Sequence, residues 1–255
     1  MSGGLMARLK SPLTQRADLG EVLAGSWGAL SATDMARRPV YLEGEGSMAL
    51  GDLFEVEGTP EGRIQFTGDL SQADRLAAGL SEGQVTVEGD LGREAGMALA
   101  GGTLDIRGNA GPRAGAAPLG FKRGMTGGEL VIRGSAGPEA GAAMRRGLIV
   151  ITKKAGERAG LGMIAGTIVV LGTSGTDTGL WSKRGSIVAL GSIEPPQTYA
   201  YACTYQPVVL QLMLTRLRGR YGLAFQRKHL TGFYRRYSGD MAELGKGEIL
   251  EWTAK

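Results

Sequence analysis

Residues 83–96 read GQVTVEGDLGREAG, 102–115 GTLDIRGNAGPRAG, 128–141 GELVIRGSAGPEAG, 147–160 GLIVITKKAGERAG and 166–179 GTIVVLGTSGTDTG. Each segment opens on a glycine, carries aliphatic residues at its third and fifth positions, and places further glycines at positions seven, ten and fourteen. The fourth copy alone has Lys153 at the seventh position. Gly185 opens another copy, GSIVALGS, which breaks at Pro195 and Pro196, and Gly62 opens a degenerate earlier one, GRIQFTGD. The opening glycines are spaced by 21, 19, 26, 19, 19 and 19 residues, so the period is 19 with one insertion of seven. Met125, Met144 and Met163 each stand three residues before their glycine, which places the insertion at Pro118–Gly124, PLGFKRG.

Within each copy, aliphatic residues alternating with other residues have the period of a strand buried on one face, and five residues are too few for a helix. The flanking glycines suit sharp corners at which a Cβ would meet the same corner of the next winding. One winding cannot bury its aliphatic face, whereas stacked windings pair as a parallel sheet and align their inner residues in a column. Seven windings at the usual strand spacing give a rod roughly 34 Å long. The fold expected is therefore mainly β, a right-handed parallel β-helix over residues 62–191. Residues 1–61 and 192–255 form small α/β caps at its two ends. A left-handed hexapeptide helix needs a six-residue subperiod, of which 19 is not a multiple.

Composition narrows the function. Glycine supplies 44 of 255 residues, more than twice the average of about 7%, while 42% apolar content and only 9 prolines exclude collagen and a disordered glycine tract. The net charge of +4 is small against 54 charged side chains of interspersed sign, so no nucleic-acid partner is expected. Cys203 and His229 are the only cysteine and histidine, which removes the ordinary ligand sets for zinc and iron–sulfur sites and the Cys–His nucleophile pair. No secretory signal and no membrane-spanning run is visible, and a cytoplasmic location is expected. Gly160, Gly162 and Ala165 imitate a dinucleotide fingerprint, but they lie inside the repeat and lack its βαβ context.

Outside the repeat, Leu5–Lys10 reads as a strand, Leu19–Leu23 as a short helix, and GDLFEVEG at 51–58 as the approach to the first coil. Pro207–Arg218, PVVLQLMLTRLR, reads as an amphipathic helix whose apolar side carries Val208, Leu212 and Thr215, or Val209, Leu212 and Leu217.

These coils, the approach GDLFEVEG and the ending RRYSGDMAELGKGEIL at 235–250 resemble the C-subunit family of formylmethanofuran dehydrogenase over about residues 5–252. The repeat alone is also similar to the C-terminal β-helical domain of glutamate synthase. The resemblance implies a non-catalytic structural subunit. In the bacterial form it serves a cytoplasmic formyltransferase/hydrolase complex of one-carbon metabolism and formaldehyde oxidation. That complex passes a formyl group from formyl-tetrahydromethanopterin to a methanofuran-type carrier and hydrolyses it to formate. The archaeal form is a tungsten or molybdenum formylmethanofuran dehydrogenase. An excess of arginine over lysine, 21 to 8, leans toward the bacterial one. The implied partners are an amidohydrolase-like subunit, a formyltransferase subunit and a further subunit. The carrier and a metal, zinc in the hydrolytic form, belong to those partners and no cofactor to this chain alone.

Three groups of residues follow as candidates. Phe121, Lys122 and Arg123 of the inserted loop are interface candidates, an aromatic beside arginine being a common anchor. Arg216, Arg218, Arg220, Arg227 and Lys228 are candidate contacts for the polyglutamyl chain of a furan carrier. The third reading is a stand-alone β-helix lyase built on Asp90, Asp105 and Glu139, which occupy different places in their coils. No catalytic or metal-binding residue is assigned.

Overall fold

The computed structural model describes residues 3–44, 46–59 and 61–254. Strand β1 (Leu5–Leu9) opens the chain, followed by β2 (Ala17–Asp18), α1 (Ala32–Ala36), β3 (Pro39–Leu42), β4 (Gly46–Ala49), α2 (Leu50–Leu53) and β5 (Phe54–Gly58). The repeat supplies β6 (Arg63–Thr67), β7 (Ala73–Asp74), β8 (Gln84–Glu88), β9 (Thr103–Ile106), β10 (Thr126–Ile132), β11 (Arg146–Ile151), β12 (Thr167–Val170) and β13 (Arg184–Ala189). The last segment holds β14 (Ala200–Tyr205), α3 (Val208–Tyr221), α4 (Arg227–Thr231), β15 (Phe233–Gly239) and β16 (Lys246–Thr253).

Twelve strands share one sheet in the order β14, β15, β16, β13, β12, β11, β10, β9, β8, β6, β1, β5. From β6 to β13 every neighbour is parallel and follows the chain, one strand per copy of the repeat. Val85, Leu104 and Leu130 lie in one register column, which continues through Ile149, Ile168 and Ile187 to Ile249. Phe66, Val87, Ile106, Ile132, Ile151, Val170 and Ala189 form a second column, and both columns are buried. A separate ladder of single bridges joins Leu70, Leu91, Ala110, Ala136, Ala155 and Ser174 at the next corner. Antiparallel pairing closes each end of the series, β1 with β5 on one side and β16 with β15 and β14 on the other.

Glycine is required where successive coils pass closest. A Cβ on Gly147 (φ +97°) would stand 2.7 Å from the Gly127 carbonyl oxygen. Gly111 has an ordinary φ, yet its Cβ would lie 2.7 Å from the Gly92 carbonyl. Its counterparts Gly137, Gly156 and Gly175 meet the coil before them in the same way.

The outer face of the sheet departs from simple alternation. Thr86 and Asp105 occupy it in β8 and β9, but in register with them β10, β11, β12 and β13 carry Val131, Val150, Val169 and Val188. These valines are buried under Leu210, Leu214 and Leu217 of α3, with Leu223, Phe225 and Tyr234 completing the layer. Strands covered on both faces become continuous apolar runs, and LVI, LIVI, the IVV of TIVV and the IVA of SIVA are such runs. The helix therefore buries a stripe at i, i+4 and i+7 beginning at Leu210, while Val208, Val209 and Leu212 are exposed. The apolar side expected from Val208 or Val209 is thus corrected by where the valine column lies.

Leu19–Leu23 is also corrected: it is an irregular turn, with Leu19, Val22 and Leu23 buried. Gly20 within it and Gly25 after it, at φ +69°, leave too short a run for a stable helix. After a single 3-10 turn at Trp27–Ala29, the first α-helix forms at Ala32–Ala36, where the Ser31 hydroxyl accepts from the Asp34 amide at 3.1 Å.

Two glycine substitutions should separate these effects in chemical denaturation of the full chain. Gly111→Ala is expected to destabilise by about 1–3 kcal/mol through forced backbone displacement. Gly219→Ala, in α3 with nothing within 4 Å of the added Cβ, is expected to stabilise by about 0.5–1 kcal/mol.

Candidate functional site

One corner of the stack carries a column of charged residues that all adopt left-handed backbone. Arg75, Glu94, Arg113, Glu139, Arg158 and Asp177 have φ between +55° and +64°, and they recur with the repeat while alternating in sign. The strained conformation reverses the direction of hydrogen bonding. The Glu94, Arg113, Glu139 and Arg158 amides donate to the following coil, to Pro112, Pro138, Glu157 and Thr176, each at 2.8 Å. Two residues on, Gly96, Gly115 and Gly141 donate to the preceding coil. Each coil is thereby tied in both directions within one turn.

The side chains then close a ladder. Arg113 donates to Glu94 at 3.2 Å and to Glu139 at 2.9 Å, and Arg158 reaches the other oxygen of Glu139 at 3.0 Å. At the start of the column, Arg75 pairs with Asp18 of β2, and Arg16 pairs with Asp74 of β7. The Asp74 hydrogen bond is the main reason the Arg16 guanidinium is held above its ordinary pKa. Between this ladder and the β2–β3 hairpin lies an open cavity of about 550 Å³ that reaches Leu119 of the inserted loop. Its arginines and carboxylates largely neutralise each other, so the geometry is that of a seam between the N-terminal hairpin and the repeat.

Beside this ladder, Asp90 accepts from the Asn109 amide at 2.7 Å, and Asn109 in turn accepts from the Ser135 amide at 2.9 Å. Asp105 lies on the outer sheet face, 7% exposed, and takes two 2.9 Å hydrogen bonds from Arg133. That pairing raises the Arg133 pKa, and Arg133 also donates to the Tyr221 carbonyl at the end of α3. Asp90, Asp105 and Glu139 are therefore held apart in three different sets of contacts, not in one groove. Among the described residues no three His, Cys, Asp or Glu side chains come together as a metal site.

The basic segment divides. Arg216 and Arg220 turn in toward Glu129, which also accepts from the Tyr221 hydroxyl. Burial, together with that hydrogen bond, pushes the Tyr221 phenol up to about 12. Lys228 lies 4.6 Å over the ring of Trp252. Arg218 and Arg227 are exposed and make no ion pair among the described residues. His229 packs edge-on to Trp252, and burial, then the Lys228 charge, lowers its pKa. In the inserted loop, Phe121 is 72% exposed, with Lys122 and Arg123 exposed beside it. The charged column itself was open to sequence reasoning, since REAG, PRAG, PEAG, ERAG and TDTG alternate sign at one position of each copy.

Among the described residues no helix is long and apolar enough to cross a membrane. No protein-family model matches the sequence. Over 86 residues the chain is 36% identical to the C-subunit of the formyltransferase/hydrolase complex Fhc of Methylorubrum extorquens. That alignment takes in 34% of this chain and spans 32% of the relative's length. A chain in the crystal structure of the formyltransferase/hydrolase complex FhcABCD from Methylorubrum extorquens, bound to methylofuran, superposes with a TM-score of 0.77. There the identity is 33%, covering 98% of this chain and 100% of that one.

Because Arg113 bridges two carboxylates and Arg158 one, their removal should differ. Arg113→Met is expected to lower stability by about 1–2 kcal/mol and Arg158→Met by less than about 1 kcal/mol. The difference should shrink when the urea titrations are repeated in 1 M salt.

Proposed function

We propose, since the chain belongs to the C-subunit family of the formyltransferase/hydrolase complex, that it is a non-catalytic structural subunit fixing the positions of catalytic partners. The observation that carries this reading is the superposition on a chain of FhcABCD over 98% of the present one. In this reading the architecture is a right-handed parallel β-helix over residues 62–191, flanked by caps at 1–61 and 192–255. The in-register columns and the second bridge ladder support the β-helix. The assembly acts in cytoplasmic one-carbon metabolism. It moves a formyl group from formyl-tetrahydromethanopterin to a methanofuran-type carrier and releases formate, with the chemistry and a zinc centre in amidohydrolase-like and formyltransferase partners.

Within that assembly the inserted loop 118–124 is a contact, supported by the exposure of Leu119 and Phe121 on an otherwise regular corner. Contact of the basic segment with the carrier falls to Arg218 and Arg227, because Glu129 already engages Arg216 and Arg220.

Affinity purification of the tagged chain from its own cells tests the reading: partner chains should co-elute in fixed stoichiometry together with formyl-transfer and hydrolysis activity. Phe121→Ala combined with Arg123→Ala should reduce partner recovery about tenfold, the weight of a single hot spot. Recovery of the chain alone from native cells would contradict the subunit role.

A further inference from the structure

The two edges of the large sheet are treated differently by the sequence. At one edge, β5 reads FEVEG and places Glu55 and Glu57 along its length, the charge pattern that keeps an open edge from recruiting other strands. At the other edge, β14 reads AYACTY, with no charge and no proline. Residues 200–204 are all exposed, and only β15 pairs with the strand among the described residues. A bulge between Tyr201 and Cys203 is its one irregularity.

Only Gln206 and Pro207 separate β14 from α3. The first turn of that helix presents Val208, Val209 and Leu212 at 66%, 80% and 66% exposure, opposite the leucines that bind the valine column. This helix is apolar on two sides, one covered by its own sheet and one uncovered. Seven Lys and Arg and no Asp or Glu occur from Pro195 to Gly239; Arg216 and Arg220 pair with Glu129, and Arg235 and Arg236 of β15 with Glu251 and Glu248, which leaves the excess positive charge on Arg218, Arg227 and Lys228.

We infer that the free edge of β14, together with Val208, Val209 and Leu212, is a docking site for an extended segment of another polypeptide, apolar toward α3 and acidic at its flanks. Backbone pairing along the edge would supply affinity, and the apolar stripe and the basic surroundings would supply selectivity. Two copies of this chain would bring like charges together at the same edge, so the occupant is a different chain. The inference rests on the reading of the protein as a subunit of an assembly and names one of its contact surfaces.

Hydrogen exchange of the full chain, alone and in the assembly purified from its own cells, tests it alongside partner recovery with Val209→Asp/Leu212→Asp and Arg227→Glu variants. Amides of residues 200–205 should exchange at least tenfold more slowly in the assembly. The apolar variant should lose at least tenfold in partner recovery while its circular dichroism and melting temperature stay those of the parent, and Arg227→Glu should lower recovery at low salt by a margin that shrinks as salt is raised. Unchanged exchange with full recovery of partners by the variants would overturn the surface and leave the subunit role intact. Absence of partners even from the parent chain would overturn both. Concentration-dependent protection in the isolated chain would overturn the choice of occupant in favour of a second copy. Nuclease-sensitive material lost from the variants would overturn it in favour of a nucleic acid.

Discussion

Successive coils pair as neighbouring strands, which sets them about 4.8 Å apart, and every corner must therefore clear its own copy at that distance. The glycine columns follow from this constraint, since a Cβ at Gly111 or Gly147 would press into the backbone of the coil before. Once the corners clear, the strands fall into register and the columns of Val85 and Val87 become continuous and buried. The charge ladder depends on the same stacking, because Arg113 can bridge Glu94 and Glu139 only when three coils are superposed. The insertion of seven residues is absorbed outside the column as the loop 118–124, exposed over residues 119–123, with an irregularity between Thr126 and Glu129 before β10 resumes register.

The outer face shows how a uniform repeat acquires distinct surfaces. Where Val131, Val150, Val169 and Val188 replace the polar outward residues, α3 settles and shields them. Where Asp105 interrupts the column, Arg133 neutralises it and fastens the end of the helix. Glu129 holds the same helix through Arg216, Arg220 and Tyr221. The charged side chains of this region are thus mostly committed to joining elements of the chain, as suits a subunit that presents fixed surfaces to others.

Much of this was legible in the residues. The spacing of the opening glycines and the methionines before them located the seven repeat strands of the large sheet and the insertion, though not the short β7, and the aliphatic third and fifth positions became the inner columns. The orientation of α3 was not legible from its own residues, because PVVLQLMLTRLR is apolar on two sides and only its partner decides between them. The deciding signal lay elsewhere, in the change from VTV and LDI to LVI, LIVI, TIVV and SIVA. Leu19–Leu23 misled for a related reason: its apolar residues serve the core from a turn between glycines, and the helix begins only where Ser31 can cap it. The candidate loop was visible as an insertion. The pairing of Arg216 and Arg220 with a glutamate almost 90 positions away left no local trace.

Distances between spin labels on one register column measure the stacking most directly. With Cys203 replaced by serine, labels placed pairwise at Gln84 and Glu129, Gln84 and Thr167, and Gln84 and Ser186 are separated by two, four and five coils. Stacked coils require distances that grow linearly by about 4.8 Å per coil, after allowance for the label linkers, reaching about 24 Å for the last pair. Distances that do not increase in coil order would contradict it.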